Sequence, residues 1–408
     1  MRILMLVAMI LSSSMAFTDE MGLVGPADCP APGMTSGPNL PEMQWEAKQP
    51  MTTSRTGMAV AATRGLLYAV GGYAGSRLTT NEVYDPAGDT WTTRAPMANI
   101  RNGCYGASLD GWIFVVGGYN GSSRLDIVEG YDTAADSWYT LPLMAWQRTV
   151  PAAAGLNGKL YVAGGFDGAY YPTTVERYDP ASNTWDTVAP LLTGRSGLAA
   201  AVLNGKLYTV GGWTGSEPTH TELEMYDPAT DSWTSLPPMP TGRMYLTAAA
   251  LDGYILAIGG QLTFNGPQVD IVEAYDPVAN EWSTADPMLI SRGSLGAATI
   301  ADRVYAVGGW TGSSTLDEND EGKILTGIEG SSTPDALRST PEPTIVHGML
   351  KLQSAACNPQ SGMALFDLSG HLAMPLHPGS NDVSRLSPGV YFCPAAGQAG
   401  RARVVVLP

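Results

Sequence analysis

Short apolar runs, rich in β-branched and aromatic side chains, recur along most of the chain, and each stops at a pair of glycines. Leu66-Leu67-Tyr68-Ala69-Val70 precedes Gly71-Gly72, Trp112-Ile113-Phe114-Val115-Val116 precedes Gly117-Gly118, and Arg303-Val304-Tyr305-Ala306-Val307 precedes Gly308-Gly309. A continuous apolar run this short, bounded by turn formers, predicts a strand covered on both faces. Beyond each pair comes Tyr84-Asp85-Pro86, Tyr131-Asp132, Tyr178-Asp179-Pro180, Tyr226-Asp227-Pro228 or Tyr275-Asp276-Pro277, with a tryptophan seven residues after the tyrosine. Asp-Pro and the Asn or Asp that follows make a turn, so the tyrosine ends one strand and the tryptophan opens another. With the alanine-rich segment that follows a recurrent arginine, each unit reads as four strands.

Three residue types keep one register. The glycine pairs (Gly71-Gly72, Gly117-Gly118, Gly164-Gly165, Gly211-Gly212, Gly259-Gly260, Gly308-Gly309) are 46, 47, 47, 48 and 49 residues apart. The same five intervals separate Trp45, Trp91, Trp138, Trp185, Trp233 and Trp282, and again Arg55, Arg101, Arg148, Arg195, Arg243 and Arg292. A period in this range marks a repeat whose units cannot bury their faces alone and must stack on one another.

Composition narrows the class. The 408 residues carry 22 Lys+Arg against 38 Asp+Glu, a net charge of −16, with charged residues at 15% and 48 Gly and 30 Pro. That charge density is too low for a disordered chain or a coiled coil. The acidic balance opposes non-specific nucleic-acid binding, which depends on neutralising phosphates, and four Cys are too few for a disulfide scaffold. The start, Met1-Arg2, an apolar run Ile3 to Leu11 and small residues at Ser14 and Ala16, predicts a secretory signal peptide over 1–16, followed by a linker over 17–42. The run is too short to span a bilayer. The expected location is therefore secreted, extracellular or cell-surface, through the periplasm, with no transmembrane segment after cleavage.

The order Arg, apolar strand, Gly-Gly, Tyr-Asp-Pro, Trp resembles the Kelch repeat. The resemblance implies an all-β, six-bladed β-propeller over 43–315, one four-stranded blade per repeat around a central channel. After Gly308-Gly309 no Tyr-Asp-Pro and Trp follow, while Trp45 stands alone before the first repeat arginine. The last blade is therefore expected to take its outer strand from the segment around Trp45, and its third strand is not legible. The glycine pairs are expected to let strands crowd near the axis, and the tryptophans to pack between blades. In Kelch domains the arginine position lies near one mouth of the channel. Such an arginine either pairs with carbonyls and carboxylates of the fold or contacts a ligand. One residue past the glycine pairs stand Tyr73, Tyr119, Phe166, Trp213 and Trp310, with Gln261 breaking the series. The resemblance implies that these loop aromatics, with the six arginines, form the candidate ligand-binding set.

The stretch from Thr311 to Pro343, rich in Ser, Thr, Gly, Pro and acids, reads as a linker, placed at 316–343. Within it Asp317-Glu318-Asn319-Asp320-Glu321-Gly322 imitates a calcium loop. Its twelfth position is Ile328, where a bidentate Glu is needed, so a solvated acidic turn is the expectation. Residues 344–408, with strands expected around Met363–Gly370, Gly379–Val383, Pro388–Phe392 and Arg403–Leu407, resemble the C-terminal sorting domain of type IX secretion cargo. That resemblance implies a small immunoglobulin-like β-sandwich and contact with secretion machinery. Cys357 and Cys393 fall in it and an exported protein could join them.

For function, the propeller segment holds a single histidine, His220, and a single cysteine, Cys104. That excludes the two-His, two-Tyr, Cys site of copper radical oxidases and a His-based zinc site, and no His–Asp support exists for a Ser or Cys triad. No metal or other cofactor is expected. The leading expectation is a non-enzymatic binding protein taking a peptide, protein or glycan at the channel mouth. The alternative is a sugar mutarotase or isomerase resembling the periplasmic sialic-acid mutarotase-like Kelch enzymes, with Asp167 as candidate acid.

Overall fold

The computed structural model describes residues 42–325 with their side chains. Of the remainder it describes the backbone of seven strands between 344 and 406. Residues 1–41 and Cys357 lie outside the described residues, and with them the expected leader and disulfide.

Six four-stranded antiparallel sheets make up the first unit. In the first, Ala59–Thr63, Leu66–Val70, Asn81–Asp85 and Thr90–Arg94 pair in chain order. Four more sheets repeat the plan, beginning at Tyr105–Leu109, Ala152–Leu156, Ala199–Leu203 and Thr247–Leu251. The alanine-rich first strands are innermost and touch the first strands of both neighbouring blades around the ring. Small side chains are required where six strands converge: a Cβ on Gly106 would lie 2.9 Å from the backbone of Val60, and one on Gly296 would meet the Val60 side chain. The apolar second strands are nearly solvent-free, and most core clusters join residues of neighbouring blades.

The sixth blade combines Gly296–Ile300, Arg303–Trp310 and Thr315–Ile324 with Met43–Lys48 from the other end of the segment. Trp45 does there what the repeat tryptophans do elsewhere. Its indole Nε1 donates to Asp286 O at 3.1 Å, as Trp91 donates to Gln49 O and Trp138 to Ala95 O, each reaching the connection that leaves the preceding blade. In five blades the tryptophan stands opposite its blade's tyrosine, as Trp91 opposite Tyr84 with ring centroids 5.2 Å apart. In the sixth it lies over Gly322.

Two expectations need correction. The stretch 316–324 is neither linker nor solvated turn: Thr315–Ile324 is the missing third strand, with Asn319 and Asp320 each 1% exposed. An acid-rich strand is stable inside the sheet because its carboxylates are neutralised locally, Asp320 by Arg292 at 2.8 Å and Glu321 by Arg303 and Lys48. The glycine pairs, in turn, do not crowd the axis. In five blades they follow directly on the second strand, and in all six both residues have positive φ, as Gly117 at 58° and Gly118 at 104°, and abut the next blade. A side chain there would be strained and would strike the carbonyl of Arg148.

The second unit, residues 329–408, contains a three-stranded sheet of Thr344–Val346, Met349–Leu352 and Gly379–Asp382. A second, four-stranded sheet is ordered Leu372–Leu376, Met363–Phe366, Gly389–Pro394, Arg401–Val406.

Ring closure makes a direct prediction. Deleting residues 43–48 removes one of four strands from the sixth blade and exposes a sheet edge. Thermal unfolding of the deletion variant should be broader and begin at lower temperature than that of the full chain; an unchanged transition would refute closure by this strand.

Candidate functional site at the channel mouth

The six repeat arginines are inside the blades. Every one is 0% exposed. Each pairs with a carboxylate of the third strand of the blade it enters: Arg55 with Glu82 (2.6 Å), Arg101 with Glu129, Arg148 with Glu176 (2.5 Å), Arg195 with Glu224 (3.3 Å), Arg243 with Glu273 (3.2 Å) and Arg292 with Asp320 (2.8 Å). The guanidiniums also donate to carbonyls, Arg101 Nη1 to Gly117 O and Ile127 O at 3.0 Å each. Burial lowers the pKa of Arg55 and of Arg243 to about 10 against the opposing pull of their glutamates, so both remain cations at neutral pH. The partner acids accept again from the incoming connection, Glu129 from Ala98 N at 2.8 Å and Glu176 from Ala145 N at 2.6 Å. With no surface at the mouth, these arginines do not meet a ligand; of the two roles open to them, they fill the structural one. The acid series that holds them was legible, because Glu82, Glu129, Glu176, Glu224 and Glu273 each stand two residues before the repeat tyrosine. A buried Met or Leu four residues before each arginine (Met51, Met97, Met144, Leu191, Met239, Met288) completes the cage.

Two residues after each arginine, the chain forms a collar. Gly57, Gly103, Val150, Gly197, Tyr245 and Ser294 all have φ between 49° and 62°. Their peptide groups hydrogen-bond head to tail around the axis: Gly103 N donates to Gly57 O (2.7 Å), Val150 N to Gly103 O (2.7 Å), Gly197 N to Val150 O (3.0 Å), Tyr245 N to Gly197 O (2.8 Å), Ser294 N to Tyr245 O (2.7 Å), and Gly57 N to Ser294 O (2.9 Å). The left-handed conformation is cheap for glycine and costly for β-branched Val150.

The collar surrounds a cup of about 320 Å³ lined by Thr56, Asn102, Tyr119, Arg124, Thr149 and Tyr245 among others. Tyr105, from the second blade, is hydrogen-bonded to Thr247 and to the backbone of Ala200, on the fifth and fourth blades, so its ring crosses the axis and floors the cup. Burial raises the pKa of its hydroxyl. Beneath it the channel, about 250 Å³, is walled by alanine and glycine of all six inner strands.

The loop aromatics stand on the rim, and they are half-buried rather than free. Each forms a β-bridge to the residue that follows a repeat arginine, as Tyr73 to Thr56, Tyr119 to Asn102, Phe166 to Thr149, Trp213 to Ser196 and Trp310 to Gly293; Gln261 takes the same place opposite Met244. Two arginines that fall outside the repeat series interleave with them. Arg77 lies 5.8 Å from the Tyr73 ring and 4.7 Å from that of Tyr119; Arg124 lies 5.9 Å from Tyr119 and 4.5 Å from Phe166. The stack continues through Tyr171 (4.9 Å from Phe166) to Trp213 (6.0 Å), which lies flat on Phe264 at 4.8 Å. Half the rim is thus cation and ring in alternation, and the adjoining part is purely aromatic. Among the described residues neither Arg77 nor Arg124 has an ion-pair partner, and the Nε of each is buried without an acceptor. Sequence reasoning missed both, because neither keeps a constant offset from the repeat landmarks.

The remaining chemical candidates are committed elsewhere. Asp167 accepts from Ala169 N and Tyr170 N at 2.7 Å each, closing its own turn. Burial pushes this carboxyl up, but those amides and Arg124 outweigh it and hold it below the usual carboxylate range. His220 bonds Glu222 (2.8 Å) and Thr214 (3.1 Å) in the loop of the fourth blade. Among the described residues no group of three or more His, Cys, Asp and Glu is placed to hold a metal ion.

Comparison with known proteins agrees with this geometry. The Kelch motif model matches residues 54–98 and 101–144, and the model described as the KLHDC2/KLHL20/DRC7 Kelch-repeats domain matches 146–309. A solved structure titled "Structure of YjhT" is similar over 67% of this chain and 95% of its own, with a TM-score of 0.60 and 17% identity, a likeness of fold. No curated protein matches the chain.

The site separates stability from surface. Arg148→Ala strips a buried carboxylate of its partner and should cost about 3–5 kcal/mol in chemical denaturation. Val150→Gly should instead stabilise by about 1 kcal/mol by relieving the left-handed valine. Gly197→Val, at φ 62° with a Cβ 3.1 Å from the Tyr245 ring, should destabilise.

Proposed function

Taking as premise that the chain carries Kelch repeats folded as a six-bladed β-propeller, we propose that it is a secreted or cell-surface binding protein that takes an anionic peptide or glycan in the cup at its channel mouth. The observation that carries this reading is the pair of guanidiniums that form no ion pair among the described residues, Arg77 and Arg124, held between rim aromatics beside a polar cup. In a chain of net charge −16 they form a local positive field where the surface is concave. The flanking rings hold the guanidiniums in place, and a guanidinium so held can meet a planar anion by bidentate bonds. Thr56, Asn102 and Thr149 add hydroxyl and amide groups to the cup wall, and Trp213 with Phe264 adds a flat apolar platform on which a sugar ring or an aromatic side chain would stack.

The sugar isomerase alternative needs an acid and a base facing the reacting carbon. Among the described residues lining the cup there is no carboxylate or imidazole, and Asp167 is engaged in its own turn. This favours binding over proton transfer. A mutarotation assay on aldoses and sugar acids should show no acceleration over buffer.

An array of acidic and neutral peptides and glycans tests the binding reading. Ligands should be retained in proportion to their negative charge and released by salt. Arg124→Ala should weaken the best ligand by about tenfold or more, equivalent to loss of a charge-assisted hydrogen bond, with the unfolding midpoint nearly unchanged. Retention of neutral ligands alone, or indifference to Arg124→Ala, would overturn the proposal.

A further inference from the structure

The repeat is its own control, and one blade junction departs from it in several places at once. Between the second and third blades, away from the cup, lies a recess of about 280 Å³ walled by Leu109, Trp112, Phe114, Leu141, Tyr178 and Pro180, with Asp110 at its lip. The position of Phe114 is tyrosine in four other blades (Tyr68, Tyr161, Tyr208, Tyr305). At three of these junctions its hydroxyl is engaged, Tyr68 with Thr133, Tyr161 with Arg177 and Tyr305 with Glu321. Phenylalanine leaves this wall without that polar group. The position of Gly130 carries Val83, Arg177, Met225, Ala274 and Glu321 in the other blades. Its lack of a side chain lets Trp112 lie down on the sheet, where a Cβ would come within 3.2 Å of the indole.

A third feature, shared with the first and fifth blades, where Leu66 and Tyr254 hold the position of Trp112, bears on charge. In the third and fourth blades the position of Trp112 is a lysine that bridges the Asp opposite, Lys159 to Asp179 at 2.5 Å and Lys206 to Asp227. In the second blade tryptophan replaces the lysine while the acid, Asp132, remains opposite it. Asp110, exposed at the lip, has no ion-pair partner among the described residues either; Arg64 of the first blade packs on Gly111 without pairing with it. The junction therefore has an acid without the lysine bridge of the third and fourth blades, and an aromatic-walled space large enough for one small ring or side chain.

We propose that this recess is a second binding site, independent of the cup, for a small arylalkylammonium: the ring packs against the wall of Leu109, Leu141 and the edges of Phe114 and Tyr178, and the ammonium stays at the lip against Trp112 and Asp110. The chemistry is that of cation–π and carboxylate recognition together. The ligand supplies the ammonium that lysine supplies in the third and fourth blades, and the apolar walls recognise its stem by desolvation. An anion of the same shape is repelled by the Asp110 carboxylate at the lip.

The test uses the full chain and three probes of matched shape: 2-phenylethylamine, 3-phenylpropanamide and 3-phenylpropanoate, followed by calorimetry and by saturation-transfer NMR of the probes. The amine should bind at least tenfold more tightly than the amide, and the acid should show no saturation transfer. Asp110→Asn should reduce the amine to the level of the amide. Leu141→Trp, which fills the recess, should abolish binding of the amine and the amide while the thermal transition shows the variant folded. Gly130→Ala, which presses on the indole from beneath, gives a second blocking variant should Leu141→Trp fail to fold. Equal binding of amine and acid, amine binding unchanged in Asp110→Asn, or binding that survives both blocking variants would overturn the proposal. Because none of these residues lines the cup, an unchanged response to the acidic array in the same variants keeps failure here distinct from failure there.

Discussion

One carbonyl per blade carries the ring. The backbone oxygen of each repeat arginine accepts from the second glycine of the preceding blade, Gly118 N to Arg148 O at 2.8 Å, Gly212 N to Arg243 O at 2.8 Å, and, closing the circle, Gly309 N to Arg55 O at 3.0 Å. The guanidinium of the same residue is meanwhile fixed to the acid of its own third strand. A single residue type thus ties the incoming connection both to the blade it enters and to the blade before it. Neither bond tolerates substitution cheaply: removing the side chain leaves a buried carboxylate unpaired, and moving the backbone breaks an interblade hydrogen bond with no water to replace it.

The mouth follows from that constraint. Because the arginine is held on both sides, the two residues after it must reverse direction tightly to start the innermost strand, and the second of them enters the left-handed region in every blade. The six reversals meet as the collar, which sets the width of the cup. The strain carried at Val150 and Tyr245 is sustained by the surrounding ring rather than by local preference. The rim above is then free to vary. There the departures from the repeat, rather than the repeat itself, supply Arg77, Arg124 and the Trp213–Phe264 platform.

The charge distribution has the same logic. Buried cations and buried acids are matched within each blade, so they cancel and leave no field at the surface. Among the charged side chains that form no ion pair in the described residues, two arginines stand at the mouth, and Asp110 stands at the lip of an aromatic recess on another part of the ring.

The amino-acid sequence by itself determined the number of blades, the limits of five of them and the closure by the strand around Trp45. Each of these is written in residues whose chemistry is local: glycines needing positive φ, an Asp-Pro turn, a cross-strand tyrosine and tryptophan. Even the acid partners of the arginines were present in register, two residues before each tyrosine, although only their burial shows what they do. The sixth blade's third strand was not legible, because Thr315–Ile324 has neither apolar alternation nor turn signals; its carboxylates become acceptable in a sheet only once Arg292, Arg303 and Lys48 converge from distant positions. Tertiary structure alone decided the site as well. The Kelch resemblance implied that the repeat arginines lie near the mouth, but whether a guanidinium faces solvent or a carboxylate depends on residues about thirty positions away. Arg77 and Arg124, on which the proposed ligand contact rests, take their place only from rings that neighbouring blades bring against them.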